Sequence, residues 1–195
     1  MKTKDTRERI LEAGLKAFSE KGYLGATTKE IAAKAGVAEL TLFRQFSSKE
    51  KLFEEVVSVY SFLPALKGLL PEVAEMSYRD ALARIAEDFL KTLTARKDMI
   101  RIMHSEMQRY PEKIHRIYHS FIDSIMETLA SYFTGMQRKG LLKKFDSDAG
   151  AQAFLGMFFS YFNVQELMMG KRYRSVDAER TIAQFVKIFV EGTTK

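Results

Sequence analysis

An all-α fold is predicted for this 195-residue chain by three features of its sequence. The chain contains only three prolines, at positions 64, 71 and 111. No apolar run alternates as a strand does beside an Asn-Gly or Asp-Gly turn. Apolar residues recur instead at the spacing of amphipathic helices, between residues that start and stop helices. We therefore expect about nine helices and no sheet.

Start and stop signals divide the N-terminal quarter into four predicted helices. Gly22 ends the first, because glycine readily adopts the conformations that terminate a helix. Thr27 and Glu30 have the spacing of a capping box, which opens a second, short helix that ends at Gly36. Ser48 caps the fourth helix. The predicted helices cover about residues 6–21, 28–36, 38–44 and 49–62.

Five further helices are predicted after a break between Pro64 and Pro71. Ser77 opens the first of them as an N-cap. Pro111 suits the first turn of a long helix that ends before Gly140, because the N–H that proline lacks has no partner there. The predicted helices cover about residues 77–94, 98–109, 111–139, 147–169 and 176–191.

The predicted helix at 147–169 is apolar nearly all round, so it must be buried on several sides. In a chain of this size, we expect a second subunit to cover part of it. The final helix carries an apolar stripe, formed by Ile182, Phe185, Val186, Phe189 and Val190. We therefore predict a homodimer in which the last two helices pair with their mates as a four-helix bundle.

Composition excludes several classes of protein. The chain has no cysteine, which rules out disulfide bonds, a thiolate nucleophile and a sulfur-ligated zinc site. Its first residues are polar, and the longest apolar run, Ala153–Phe159, is too short to span a bilayer. We therefore expect a cytoplasmic protein without a membrane partner. Since no phosphate loop, nucleophile elbow or distinctive carboxylate pair is present, we predict neither an enzyme nor a cofactor.

The positive charge is concentrated near the N-terminus. The chain carries a net charge of +6, and residues 1–51 hold 11 basic against 7 acidic side chains, which is +4 of that total. A basic segment of this kind favours a polyanionic partner, and nucleic acid is the usual one. A solubilising surface is the alternative interpretation.

Residues 28–45 carry the most informative pattern. Gly36 joins two short helices, because a residue without Cβ can take the positive φ of a sharp turn. This is the pattern of a helix-turn-helix, whose second helix lies in the DNA major groove. We assign residues 1–50 to a three-helix DNA-binding domain and residues 51–195 to a helical ligand-binding and dimerisation domain. The positions expected to face or flank DNA are Ala38, Glu39, Leu40, Thr41, Phe43, Arg44 and Gln45.

The run Ala26–Leu52, with Phe18–Tyr23 before it, resembles the DNA-binding domain of the TetR family of transcriptional regulators. Its most specific part is the ending aromatic-x-x-Phe-x-Ser-Lys-Glu-x-Leu, and the resemblance covers about residues 10–56. It implies a ligand-responsive homodimeric repressor that binds a pseudo-palindromic operator of double-stranded DNA. A small, largely apolar effector would release it.

The resemblance also implies a role for each site residue. Thr28 and Lys49, each at the start of a helix, would contact phosphates, because helix N-termini favour anions. Thr41 would position the recognition helix on the DNA backbone. The residues implied as sequence readers are Lys29, Glu39, Leu40 and Arg44, whose side chains suit base edges in the major groove.

Two positions depart from the family pattern. Phe43 stands where a tyrosine is common, so it offers no phenolic hydroxyl to a phosphate. Leu40 stands where many members have glycine, which changes how closely the helix can approach the groove. Leu42 and Phe46 lie on the inward face and are predicted to be core residues. The operator sequence therefore does not follow from the resemblance.

Aromatic and methionine residues in the C-terminal part allow two interpretations. Stripes at helical spacing are more often core packing than a ligand site. The alternative is an adaptable apolar cavity with a few polar anchors, through which an effector shifts the separation of the DNA-reading heads, as the family resemblance implies. The predicted ligand-binding residues are Met103, His104, Met107, Tyr118, Phe121, Phe158, Phe162, Asn163 and Gln165.

Two further alternatives stay open at this point. His115 and His119 lie four residues apart and could share a metal with His104, but such histidines are more often solvated, and we predict no metal site. An all-helical ligand carrier or scaffold with an incidental basic head is the second functional hypothesis.

Overall fold

The computed structural model describes residues 5–168 and 170–195 of the chain. These residues form α-helices and no β-strand, which confirms the predicted all-α class. The helices within the described ranges are α1 (Thr6–Gly25), α2 (Thr28–Ala35), α3 (Glu39–Phe46), α4 (Lys49–Tyr60), α5 (Phe62–Val73), α6 (Tyr78–Ala95), α7 (Lys97–Glu106), α8 (Glu112–Arg138), α9 (Ser147–Phe162) and α10 (Ala178–Thr193).

Helix α5 lies where the sequence predicted a break, and that prediction was wrong. Pro64 falls in the first turn of the helix, where a backbone N–H would have no intrahelical partner in any case. Pro71 falls in the last turn, near the C-terminal end. Pro64 is therefore tolerated, whereas Pro71 lies inside the helix and removes one of its hydrogen bonds two residues before the helix ends. Helix α5 is the one helix of the described ranges that the sequence analysis missed.

The end of α9 also differs from the prediction. The α-helix ends at Phe162, and a π-helical turn over Asn163–Leu167 follows it directly. The predicted end, Met169, lies outside the described residues. In α1, the predicted stop at Gly22 is a kink, with φ 70° and ψ 176°, after which helical geometry resumes up to Gly25.

The helices divide into two compact units. Unit 1 comprises the chain up to Ser61 together with Arg96–Phe121, and unit 2 comprises Phe62–Ala95 and Ile122–Lys195. Unit 1 thus contains α1 to α4, α7 and the beginning of α8. The division at residue 50, which was drawn by function, stays a prediction.

The core of unit 1 is rich in aromatic rings. Phe18 and Phe53 meet edge to face with ring centroids 5.1 Å apart, and Tyr23 meets Phe53 at the same distance. Helix α7 packs along α1 and adds the buried Met99 and Met103. The inward faces of α2 and α3 complete this core. The helices that carry the candidate DNA interface therefore share one core with α7.

In unit 2, the aromatic residues of α9 are core residues. Phe154 lies 5.1 Å from both Phe158 and Phe189, centroid to centroid, and Phe158 lies 5.6 Å from Phe185. Phe162 is buried as well. The packing interpretation of this aromatic cluster is confirmed. Contact of Phe158 or Phe162 with a ligand stays a prediction.

Among the described residues, the stretch Lys49–Val73 is long and apolar enough to cross a membrane by length and composition alone. It is not one continuous helix, because the extended conformation of Ser61 ends α4. The inward face of α4 is buried in the core of unit 1, through Leu52, Phe53, Val56 and Val57. The core helix of a packed protein passes the same test, so the match is weak evidence for a membrane span.

Candidate nucleic-acid interface

The turn between α2 and α3 has the geometry that the sequence predicted. Gly36 takes φ 66° and ψ 40°, the left-handed conformation that favours glycine. Its N–H bonds the carbonyl of Ala33 at 3.1 Å, and the N–H of Val37 bonds that of Ala32 at 3.0 Å. These bonds satisfy the last carbonyls of α2 and set the direction in which α3 leaves.

Arg9 of α1 holds this turn from the opposite side. Its Nε donates to the carbonyl of Ala35 at 3.0 Å, and its Nη2 donates to that of Gly36 at 2.9 Å. Two ion pairs, Lys34 with Glu20 and Lys21 with Glu30, also join α2 to α1. The sequence analysis missed Arg9, because nothing in the local pattern links it to a turn 26 residues away.

The outer face of α3 is exposed to solvent and the inner face is buried. Leu40 is 62% exposed and Phe43 is 41% exposed, while Arg44 is also exposed. Leu42 and Phe46 are buried, which confirms their prediction as core residues. Of the other predicted contacts, Ala38 and Lys29 are exposed and Thr41 is half-buried. The inward and outward residues of α3 thus separate as a recognition helix requires.

A hydrogen bond joins the first residue of α2 to the first residue of α3. The hydroxyl of Thr28 donates from Oγ1 to Oε1 of Glu39 over 2.6 Å, and both side chains are half-buried. The sequence analysis placed both residues in the interface, with separate roles. Their direct contact was not foreseen, since eleven residues and a turn separate them.

Lys49 lies at the start of α4, directly after the N-cap Ser48, whose hydroxyl accepts from the N–H of Lys51 at 3.2 Å. The Lys49 ammonium lies 4.4 Å from the ring centroid of Tyr23, a cation–π contact. Burial lowers the pKa of Lys49, and the nearby Glu50 opposes that shift. The Tyr23 hydroxyl donates to Glu50 at 3.0 Å, so the ring beneath the ammonium is held in place.

The predicted ligand-binding residues fall in both units. Met103 is buried in the core of unit 1, against which Met107, Tyr118 and Phe121 are partly buried. His104 of the same unit is largely exposed, yet desolvation by the surrounding protein lowers its pKa. These residues stay predictions as ligand contacts.

In unit 2, Phe158 and Phe162 are buried and Asn163 is half-buried. The side-chain oxygen of Gln165 accepts from the N–H of Val176 at 3.1 Å, so this amide already has a structural partner. No group of three His, Asp or Glu side chains within residues 5–168 and 170–195 is arranged to hold a metal ion.

Thr27 is the N-cap of α2, as predicted, with its hydroxyl accepting from the N–H of Glu30 at 3.2 Å. We expect Thr27→Ala to lower the free energy of unfolding by about 1 kcal/mol, because that N–H loses its partner. Urea denaturation followed by circular dichroism measures the change. Thr27→Ser keeps the capping hydroxyl and serves as the control. An equal loss in the serine variant would contradict the capping role.

Both parts of the chain match known protein families. Residues 10–56 match the model of the bacterial regulatory proteins of the tetR family. Residues 80–192 match the model of the C-terminal domain of AefR-like transcriptional repressors. The first match covers the helix-turn-helix described above, and the second covers α7 to α9 and most of α6 and α10.

Individual proteins show the same likeness along the whole chain. The uncharacterized HTH-type transcriptional regulator YvkB of Bacillus subtilis (strain 168) is 32% identical over 96% of each chain. A structure described as a TetR-family transcriptional regulator from Mesorhizobium loti MAFF303099 is 25% identical, with a TM-score of 0.78 over 97% of each chain. GusR of Salmonella enterica, 21% identical, has the same fold, with a TM-score of 0.71 over 95% of each chain.

Proposed function

The chain belongs to the TetR family of bacterial regulatory proteins, and on that premise we propose that it is a homodimeric, ligand-responsive repressor. Family membership makes it a DNA-binding transcriptional regulator and not an enzyme. The proposal adds a pseudo-palindromic operator, a small and largely apolar effector, and a cytoplasmic location. Residues 1–50 serve as the DNA-binding domain and residues 51–195 as the regulatory and dimerisation domain. The match of residues 80–192 to a domain model of transcriptional repressors supports repression and not activation.

The observation that carries the proposal is the outer face of α3. Leu40, Phe43 and Arg44 are exposed together on a helix that Gly36 and Arg9 hold in a fixed direction. An apolar side chain can contact a thymine methyl, and an arginine can donate to guanine O6 and N7. One such helix covers only a half-site, so a second copy is needed for an operator of useful affinity.

The outer surfaces of α9 and α10 support the homodimer. On the amphipathic helix α10, the large apolar side chain of Ile188 is 61% exposed. On α9, Gly156 is exposed, and nothing lies within 4 Å of where its Cβ would stand. Val164, just beyond α9, is also exposed. Exposed apolar side chains, and a glycine with open space beside it, allow helices of two subunits to pack closely across a two-fold axis.

We expect Ile188→Ala to weaken the dimer about tenfold, because each subunit loses a large apolar contact while alanine keeps the helix intact. Sedimentation velocity over a dilution series measures the dissociation constant. Met76→Ala removes an apolar side chain that is 42% exposed in the turn before α6 and serves as the control. Equal dissociation constants for Ile188→Ala and the unmodified protein would place the dimer interface elsewhere.

The shared core of unit 1 supports a link between effector and DNA. Met103 of α7 belongs to the same core as the inward residues of α2 and α3, and Met107 packs against it. A ligand that contacts the methionines of α7 can therefore favour a different packing of the core that supports the recognition helix. If it binds that packing more tightly, it lowers the affinity for DNA by the same coupling factor.

Polarization titration against duplexes selected by the protein from genomic fragments tests the proposal. We expect specific binding with a steep dependence on salt, and release of the duplex by some member of a panel of small apolar compounds. Equal affinity for every duplex would contradict the operator. Specific binding that no apolar compound weakens would contradict the effector.

A further inference from the structure

The Thr28–Glu39 hydrogen bond joins a hydroxyl that is expected to contact a phosphate to a carboxylate that would repel the same phosphate. We propose that it is a specificity latch, closed on DNA that lacks the matching base and opened by a base that can take over the Glu39 carboxylate. This inference rests on the proposed docking of α3 in the major groove. It gives Glu39 a role in rejecting wrong sequences, which differs from a simple base contact.

The latch closes on the N-terminal ends of both helices of the motif. Thr28 is the first residue of α2 and Glu39 is the first residue of α3, and the donor and acceptor oxygens are 2.6 Å apart. Both side chains are half-buried, so water and DNA can reach them. A hydrogen bond at such a surface can be exchanged for another at small net cost.

The closed latch disfavours a phosphate beside α2. A threonine hydroxyl has a single hydrogen to donate, and in the closed state Glu39 accepts it. A phosphate that approaches Thr28 therefore finds no free hydroxyl hydrogen there. It also meets the negative charge of the carboxylate, and two like charges about 4 Å apart repel by about 1 kcal/mol even at the dielectric constant of water. This penalty applies to every duplex that leaves the latch closed.

A base with an exocyclic amino group can open the latch. In the major groove, the N4 amino group of cytosine donates a hydrogen bond that a glutamate can accept. When Glu39 moves to that base, the hydroxyl of Thr28 is free to donate to the phosphate. Where the base offers no such donor, Glu39 keeps the hydroxyl, and the phosphate contact is lost. One matching base thus controls two contacts, which raises discrimination more than affinity.

The test uses a duplex that the unmodified protein selects from a random library and a scrambled duplex of the same composition. We expect Glu39→Gln to raise the affinity for the scrambled duplex about fivefold per half-site, because it removes the charge beside the phosphate, and to lower the ratio of selected to scrambled affinity. Glu30→Gln removes a carboxylate from α2, the helix that carries Thr28, where it pairs with Lys21, and leaves the latch intact. It is the matched control for a general effect of charge.

A second pair of variants isolates the hydroxyl. When Glu39 is present, Thr28→Val should not weaken binding to the scrambled duplex, because Glu39 already accepts the hydrogen of the Thr28 hydroxyl. In the Glu39→Ala background, the same substitution should weaken binding about threefold, because the freed hydroxyl now bonds the phosphate. Thr28→Ser keeps the donor and should retain the ratio of selected to scrambled affinity.

Three outcomes would overturn the latch. In the first, Glu39→Gln leaves the ratio of selected to scrambled affinity unchanged. In the second, Glu39→Gln and Glu30→Gln raise the affinity for the scrambled duplex equally. In the third, Thr28→Val lowers that affinity by the same factor whether residue 39 is glutamate or alanine. Failure of the proposed function looks different, because the unmodified protein would then select no preferred duplex. Circular dichroism melting of each variant confirms that folding is retained.

Discussion

Gly22→Ala is expected to lower the free energy of unfolding by about 4 kcal/mol, the sum of a backbone term and a collision. Gly22 has φ 70° and ψ 176°, a combination that is almost exclusive to glycine and costs other residues about 1–3 kcal/mol. A Cβ at this position would also collide with the carboxylate of Glu106, coming within 2.5 Å of its Cδ and 2.6 Å of Oε1. Urea denaturation of the variant and the unmodified protein measures the loss.

Gly68→Ala is the matched control. Gly68 lies inside α5, has helical geometry, and has open space where a Cβ would stand. Alanine there should raise the free energy of unfolding by about 0.5–1 kcal/mol, because it restricts the unfolded chain and favours the helix. The two substitutions are chemically identical, so a difference in sign between them must come from the local backbone and its neighbours.

A double variant separates the two causes at Gly22. Glu106 is buried at the end of α7, and its nearest basic partner, Arg109, lies 3.9 Å away. In a Glu106→Ala background the collision is absent, so Gly22→Ala should then cost only the backbone term, about 1–3 kcal/mol. An equal loss in both backgrounds would show that Glu106 does not crowd Gly22.

The local signals of the sequence predicted most of the helices, because caps and turns depend on residues close together in the chain. Thr27, Ser48 and Gly36 act where they were predicted to act, through bonds to residues three positions away. The break at Pro64 was wrong because proline excludes a helix interior but not a first turn. A rule that takes every proline as a helix break therefore predicted a break where α5 begins.

The contacts that orient the interface could not be predicted, because periodicity shows which face of a helix is buried but not what the other side chains meet. Arg9 reaches the carbonyls of a turn 26 and 27 residues ahead. Lys49 was predicted as a phosphate contact from its motif position, whereas its contact with the Tyr23 ring emerged only from the fold. Leu40, Phe43 and Arg44 lie on the exposed face of α3, and the DNA contacts of all the predicted site residues stay predictions.

Arg44→Ala and Lys49→Ala should separate base reading from phosphate contact. Arg44 is exposed on α3, and its loss should weaken binding to the selected duplex by about 1–3 kcal/mol, or about 5- to 150-fold, while it relaxes the preference for one base. Lys49→Ala should weaken binding to selected and scrambled duplexes about equally. It should also reduce the salt slope by about 2 per dimer, because each of the two subunits neutralises one fewer phosphate.

The control for Lys49→Ala is Lys51→Ala, which removes a lysine from the same first turn of α4. The Lys51 ammonium pairs with Glu54 at 2.6 Å, so this residue already has an anionic partner within its own helix, and its loss should change the salt slope little. Polarization titrations between about 50 and 200 mM salt measure both quantities. If Lys49→Ala changed the base preference and left the salt slope unaltered, Lys49 would be a base-reading residue and its assignment as a phosphate contact would be wrong. The half-buried position of Lys49 against Tyr23 argues for the phosphate role, because an ammonium held there has little freedom to reach into the groove.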